Sequence, residues 1–356
     1  MCFFRLFLPL TLLLALAAQS HAAPLKVGVI VPLSGPFASY GEVARQGFEL
    51  AQKEAPASFK EIVLLYEDSK YDGKTSVSAY RKLVDQGRVD LVFVWGVTPA
   101  EVIAPLTKSS KMPTILYTLD KTIHQNNPWI IRAKSTYQQF GKKLSDHLAA
   151  QGRKKLAIVK VEISFYNDMY EGLKTAAIQN GQSVVFLESS PPDNFDFRSS
   201  ILKLKRSGAD AVGIYLIPGQ IAQFYRQLSE QNVSLPTFGT EDIGTRSEIE
   251  KAPAQMEGAV FTANIVAESF RESFLRGYKS DSNIWHAAQA YELAHLFTRI
   301  PSDPTAEQIL ETFRTAPLRA GALGMPETES VPGGGVSLTY PVGVQEIKNG
   351  GAVEFQ

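Results

Sequence analysis

The 356-residue chain carries 36 Lys+Arg against 36 Asp+Glu, a balance that gives no general electrostatic pull toward nucleic acid. Apolar residues make up 44% of it, ample for folded cores, and its one cysteine, Cys2, excludes a disulfide framework and a cysteine-based metal or redox centre. The length exceeds what one hydrophobic core usually organises, so two domains are expected.

At the amino end, Phe3–Ala18 is apolar apart from Arg5, Pro9 and Thr11, and it runs into Ser20-His21-Ala22, with small residues where a signal peptidase reads. Residues 1–22 are therefore expected to be a signal peptide cleaved after Ala22. The alternative, a membrane anchor, fits less well, because the run falls short of ~20 apolar residues, contains Pro9 and meets a small-residue site instead of a charged flank. Cleavage would remove Arg5 and no carboxylate, leaving one net negative charge. No later segment is long and apolar enough to span a bilayer, so the mature chain is expected to be soluble and exported.

Leu25–Val31 follows as an apolar, β-branched strand, and Pro32, Gly35, Pro36 and Gly41 break any continuation. Val43, Ala44, Gly47, Phe48 and Ala51 then recur at helical intervals. In an open α/β sheet, the loop after such a strand is where small ligands are held, and this one offers Ser34, Ser39 and Tyr40. Further strands are expected at Ile62–Tyr66, Leu91–Trp95 and Thr114–Tyr117, with helices near 42–54, 74–86 and 99–109. A second series of strands follows at Leu156–Val161, Val184–Leu187, Ala211–Ile217 and Thr237–Phe238, with helices near 168–179, 198–207 and 219–231. The alternation predicts an α/β protein with parallel layers, and two series of similar order predict a structural duplication without a visible repeat.

Three turns carry polar chemistry. Thr98-Pro99-Ala100-Glu101 reads as a capping box with proline at the first helical position, behind Trp95-Gly96-Val97, and the free amides of such a helix start suit an anionic group. Thr118-Leu119-Asp120 follows the next strand. Gly239-Thr240-Glu241 ends a short strand of the second series. By contrast the chain has no G-x-S-x-G elbow, H-E-x-x-H, P-loop or G-x-G-x-x-G after its first strand. Its five histidines show no ligand spacing and are expected at the surface or satisfied in the core. Gly333-Gly334-Gly335 is expected to be a flexible connection. No catalysis, cofactor or metal is expected.

Residues 27–48 closely resemble the start of mature leucine/isoleucine/valine-type periplasmic binding proteins, in Ser34-Gly35-Pro36, Tyr40–Gly41 and Gly47–Phe48, and Phe238–Gly244 resembles that family's strand ending in Gly-x-Glu. The resemblance implies a type I periplasmic binding fold: two Rossmann-like lobes with parallel-rich sheets, joined by three crossover segments near Arg132–Ser135, Thr262–Val266 and Tyr340–Val342. The first lobe would then hold residues 23–134 and 264–341, and the second 135–263 and 342–356. It further implies a small polar solute in the cleft, such as an amino acid or amide, delivered by hinge closure to the membrane permease of an ABC importer. The rival reading is a sensory module signalling to a membrane receptor. In either case a periplasmic monomer is expected.

The family's site maps onto this chain residue by residue. A ligand α-carboxylate would meet Trp95, Gly96, Val97 and Thr98, and the turn Thr118-Leu119-Asp120; a ligand ammonium would meet Glu241. Ser34 and Tyr40 from the first loop, and Phe165, Tyr166, Ile217 and Pro218 from the second lobe, would complete the walls. The chain departs from the pattern at Val97, where a hydroxyl is usual, at Ile217 and Pro218, which lack a tyrosine hydroxyl, and in having no first-domain disulfide. Asp120 replaces a threonine beside the carboxylate, so either it turns outward or the ligand is not an ordinary zwitterionic amino acid.

Overall fold

The computed structural model describes residues 23–280, 282–315 and 321–355; the leader and its cleavage point lie outside them. Among the described residues, fourteen strands form two seven-stranded sheets. The first holds β1 (Leu25–Val31), β2 (Ile62–Asp68), β3 (Leu91–Trp95), β4 (Thr114–Tyr117) and β5 (Ile130–Ala133), in the order β2-β1-β3-β4-β5, all parallel. The second holds β6 (Lys155–Val161), β7 (Ser183–Ser190), β8 (Ala211–Tyr215), β9 (Thr237–Gly239) and β10 (Val260–Asn264), in the equivalent order β7-β6-β8-β9-β10, again parallel. Late strands extend each far edge. β11 (Glu327–Ser330) and β12 (Val336–Thr339) join the first sheet beyond β5, and β13 (Val342–Lys348) and β14 (Gly351–Glu354) join the second beyond β10.

Burial explains the strand sequences. β3 and β8 are buried at every position, as parallel strands covered by helices on both faces must be, and they read as unbroken apolar runs. Edge strand β7 instead alternates between exposed and half-buried residues along most of its length. Helix Ala38–Glu54 lies against helix Ile284–Phe297 so closely that a Cβ on Gly47 would stand 2.1 Å from the Ala287 carbonyl oxygen. Only glycine fits there, which accounts for Gly47 in the middle of a helix despite its cost.

The chain passes between the sheets three times, from β5 to β6, β10 to β11 and β12 to β13. These passages are stitched together by buried polar groups. The Ser135 hydroxyl donates to the Tyr340 carbonyl (2.7 Å), and the Asn264 amide donates to Ser135 Oγ (2.8 Å) and the Pro341 carbonyl (3.2 Å).

Several local expectations differ from the structure. Helix Val97–Ser110 begins at Val97 with Gly96 as its cap, so Thr98 sits inside the first turn and caps nothing. The cause is Gly96 itself: its φ of +103° makes the break two residues earlier than the Thr–Glu spacing suggests. Gly333–Gly335 is a packed turn, not a loose one. Cβ atoms on Gly334 and Gly335 would stand 2.4 and 2.0 Å from the Gln125 and Ile130 carbonyl oxygens. Strands β5 and β11 also went unread because they are short, and helices Glu268–Tyr278 and Ala306–Thr315 went unread although each buries one face, through Phe270 and Phe274 and through Ile309, Leu310 and Phe313.

Candidate functional site

Both sheets reverse their strand order at one point, between β1 and β3 in the first and between β6 and β8 in the second. Ligands of open α/β sheets bind outside the carboxyl ends of the strands at such points. The two crevices face each other here and enclose one cavity of about 40 Å³. Phe37 and Tyr40 come from the loop and helix after β1, Trp95–Val97 from the end of β3, and Tyr117 and Leu119 from the end of β4. The second sheet supplies Ile163, Phe165 and Tyr166 after β6, and Glu241 and Asp242 after β9. Tyr71 and His286 close the wall.

The lining is aromatic and tightly ordered. Trp95 stacks between Tyr40 (centroids 5.5 Å) and Tyr117 (5.9 Å), while His286 meets all three rings edge-on. Tyr71 leans over Gly96, where a Cβ would stand 2.5 Å from its ring. That contact and the positive φ together make glycine obligatory at position 96.

Two carboxylates lie in this apolar setting, and each is held by the protein. Asp242 accepts from the hydroxyls of Tyr40 (2.6 Å), Tyr166 (2.8 Å) and Thr240 (2.9 Å). Tyr40 belongs to the first lobe, so that bond crosses the cleft. Burial raises the Asp242 pKa, and the three hydroxyls oppose the rise. Glu241 pairs with Lys134, whose Nζ lies 2.9 Å from Oε2, donates to the Tyr117 hydroxyl at 2.7 Å and sits over the Tyr117 and Phe140 rings. Lys134 is fully buried, and that burial depresses its pKa; Glu241's own burial raises the Glu241 pKa, with Lys134 opposing the rise. Its backbone is pinned from β5: the buried Arg132 guanidinium donates to the Lys134 carbonyl and to Ser337 Oγ.

Among the residues singled out in the sequence, Tyr40, Trp95, Gly96, Val97, Leu119, Phe165, Tyr166 and Glu241 line the cavity. The others do not. Ser34 is exposed and donates to Asp68 (2.6 Å), closing the turn after β1. Thr98 lies beside the cavity without entering its wall. Thr118 is buried behind the wall, with its carbonyl accepting from Arg132. Ile217 and Pro218 are half-buried outside it, although the neighbouring Leu216 carbonyl accepts from Tyr166 (2.6 Å). Asp120 turns away: it accepts from the amide and hydroxyl of Thr122, both at 2.7 Å, and lines a separate surface groove with Glu101 and Lys108. The local Asx turn outcompetes the cleft for its carboxylate.

Sequence reasoning missed Lys134, Tyr71, Tyr117 and His286, and held Asp242 only as the alternative to Glu241. Lys134 was read only as part of a crossover, and His286 as one more core histidine. Two cations, Arg132 and Lys134, spaced two apart at the end of a buried strand were the available signal for the first. For His286 nothing in the spacing sets it apart from His295. Among the described residues no group of His, Cys, Asp or Glu could hold a metal, and no helix is long and apolar enough to cross a membrane.

Comparison with known proteins agrees with this geometry. Residues 24–351 match the model of the periplasmic binding protein family, so the chain belongs to that family of solute-binding proteins. A Leu/Ile/Val-binding protein homolog 3 of Brucella melitensis is 24% identical over 69% of this chain and 68% of its own length. A homolog 6 of Brucella abortus is 26% identical over 57% of this chain, about half (53%) of that relative's length. Among solved structures, a solute-binding protein of an ABC transporter from R. palustris, in complex with benzoate, superposes with a TM-score of 0.81 at 19% identity, covering 94% of this chain and 96% of that one. The leucine-binding protein LivK of Thermotoga maritima gives 0.82 at 18% identity, with 93% and 98% covered. LivJ of Streptococcus pneumoniae, in complex with isoleucine, gives 0.82 at 17%, with 93% and 100% covered. These likenesses establish the two-lobed type I fold.

Proposed function

We propose that this protein is an extracytoplasmic receptor that closes its two lobes around a small organic acid and presents it to the membrane permease of an ABC importer. The leader, residues 1–22, would direct it to the periplasm, where it acts as a monomer and catalyses nothing. The reading rests on one observation above all: a single aromatic cavity at the facing switch points of two sheets, with the Tyr40–Asp242 bond spanning the lobes. A space of about 40 Å³ admits roughly three waters, so a solute enters with the lobes parted and is enclosed as they shut. Benzoate and isoleucine, held by the neighbours named above, mark the size and the carboxylate expected. Ligand-stripped, refolded protein screened by thermal denaturation against aliphatic and aromatic carboxylates and amino acids tests this. A solute at ~100 times its Kd adds about 2.7 kcal/mol to stability. Absence of any shift across the panel, together with turnover of one of its members, contradicts the receptor reading.

A further inference from the structure

The second-lobe acid does not wait for a ligand. Glu241 is 8% exposed and lines the cavity, yet its carboxylate already receives two contacts from Lys134 Nζ, at 2.9 and 3.3 Å. Lys134 in turn has no exposed surface and is gripped by Tyr117 and Phe140. Asp242, the cavity's other acid, is occupied by three hydroxyl donors. An ammonium entering this space would find both carboxylates engaged and a second cation beside it in a water-poor pocket.

The groups left without partners are of the opposite kind. Lys134 donates to the Tyr117 oxygen, so the Tyr117 proton points to His286 Nδ1 at 2.7 Å, and the network assigns the remaining imidazole proton to Nε2. That Nε2 is buried and unpaired, 3.9 Å from Glu241. The indole Nε1 of Trp95, a donor only, is likewise buried and unpaired. Buried donors without acceptors are costly, and an oxygen acceptor relieves them.

Resting on the receptor reading above, we propose that Lys134 is a resident cation that satisfies Glu241 in place of a ligand ammonium, and so restricts the cleft to solutes bearing a carboxylate or carbonyl on an apolar or aromatic body with no ammonium group. The solute then offers acceptors alone, to Trp95 and His286, while the stacked rings take its apolar part.

Leucine and 4-methylpentanoate differ only in the α-ammonium, and calorimetric titration with each, with benzoate as a third probe, tests the assignment. The wild-type protein should bind 4-methylpentanoate at least about tenfold more tightly than leucine. Lys134→Met, which keeps the length and apolar stem of the side chain and releases Glu241, should move that ratio at least about tenfold toward leucine. If Lys134→Met does not fold, Glu241→Gln serves: the ratio stays within about twofold under this assignment and falls steeply for leucine if Glu241 receives the ammonium. Tight leucine binding by the wild type, unchanged in ratio by Lys134→Met, overturns the inference and leaves the receptor reading standing. Failure of every probe to bind overturns both.

Discussion

At the scale of single residues, hydrogen-bond partners matter more than residue type. Tyr40 is the plainest case, since its hydroxyl ties the first lobe to Asp242 in the second. Tyr40→Phe keeps the stacked ring and removes that bond, leaving a buried carboxylate with two donors. Calorimetry should show ligand affinity weakened by about 1–3 kcal/mol with the unliganded melting point nearly unchanged; equal affinities would show that the bond does not contribute to closure. Asp120 behaves in the opposite way. Because its carboxylate is spent on Thr122, Asp120→Thr should leave affinity for every solute within about 0.5 kcal/mol, and a larger change in a competition assay would place it in the cleft after all. The sequence could display Glu241 on its strand-end turn, but not that Lys134, more than a hundred positions earlier, would reach it. Pairing of two buried charges is a tertiary fact that no local pattern encodes.

At the scale of elements, the first strand and its helix were legible because their signals were strong: an unbroken apolar run, a Pro/Gly break and a helical stripe. The start of helix Val97–Ser110 was misjudged by a residue or two because Thr98 and Glu101 imitate a capping box, whereas Gly96 determines the turn through its backbone. Short edge strands such as β11 were not legible at all, since four half-exposed residues carry no usable period. The close approach of helices Ala38–Glu54 and Ile284–Phe297 gives a direct check. Gly47→Ala drives a methyl into the Ala287 carbonyl and should cost about 1–3 kcal/mol in urea unfolding, whereas the same change at Gly277, where nothing lies within 4 Å and the backbone is not left-handed, meets no clash. Equal unfolding midpoints for wild type and Gly47→Ala would contradict the packing.

At the scale of the whole molecule, the three passages meet at Ser135, Asn264 and Tyr340, which in the receptor reading would be the hinge for lobe rotation. The duplicated strand order could be read in outline from two series of strands, and so could the terminal strands near Gly343–Ile347 and Val353–Phe355 that extend the second sheet, whereas β11 at the edge of the first could not. Buried histidine sets the acid sensitivity of the fold. The pKa of His286 is lowered well below 6.5, first by burial and then by Lys134. An imidazole depressed in the native state stabilises fully above the unfolded pKa and loses that contribution as pH falls below it, because the unfolded chain takes up the proton. Between pH 6.5 and 5.5 this amounts to at most about 1.4 kcal/mol. Raised carboxylates such as Asp242 act in the other direction, so the comparison is with His286→Gln: the stability difference between wild type and variant, from urea midpoints, should shrink as pH falls through this window. A difference independent of pH would mean that His286 titrates in the native protein as it does in the unfolded chain, and one that grew as pH fell would mean that it is protonated there.

Solute-driven closure around the aromatic cavity is the claim on which the rest depends. Small-angle X-ray scattering of ligand-stripped protein, recorded with and without a carboxylate that raises the melting point, tests it most directly. The account predicts that the same solute which stabilises the fold also lowers the radius of gyration, and that Tyr40→Phe requires more of that solute for the same contraction. Stabilisation with an unchanged radius of gyration would contradict binding between the lobes.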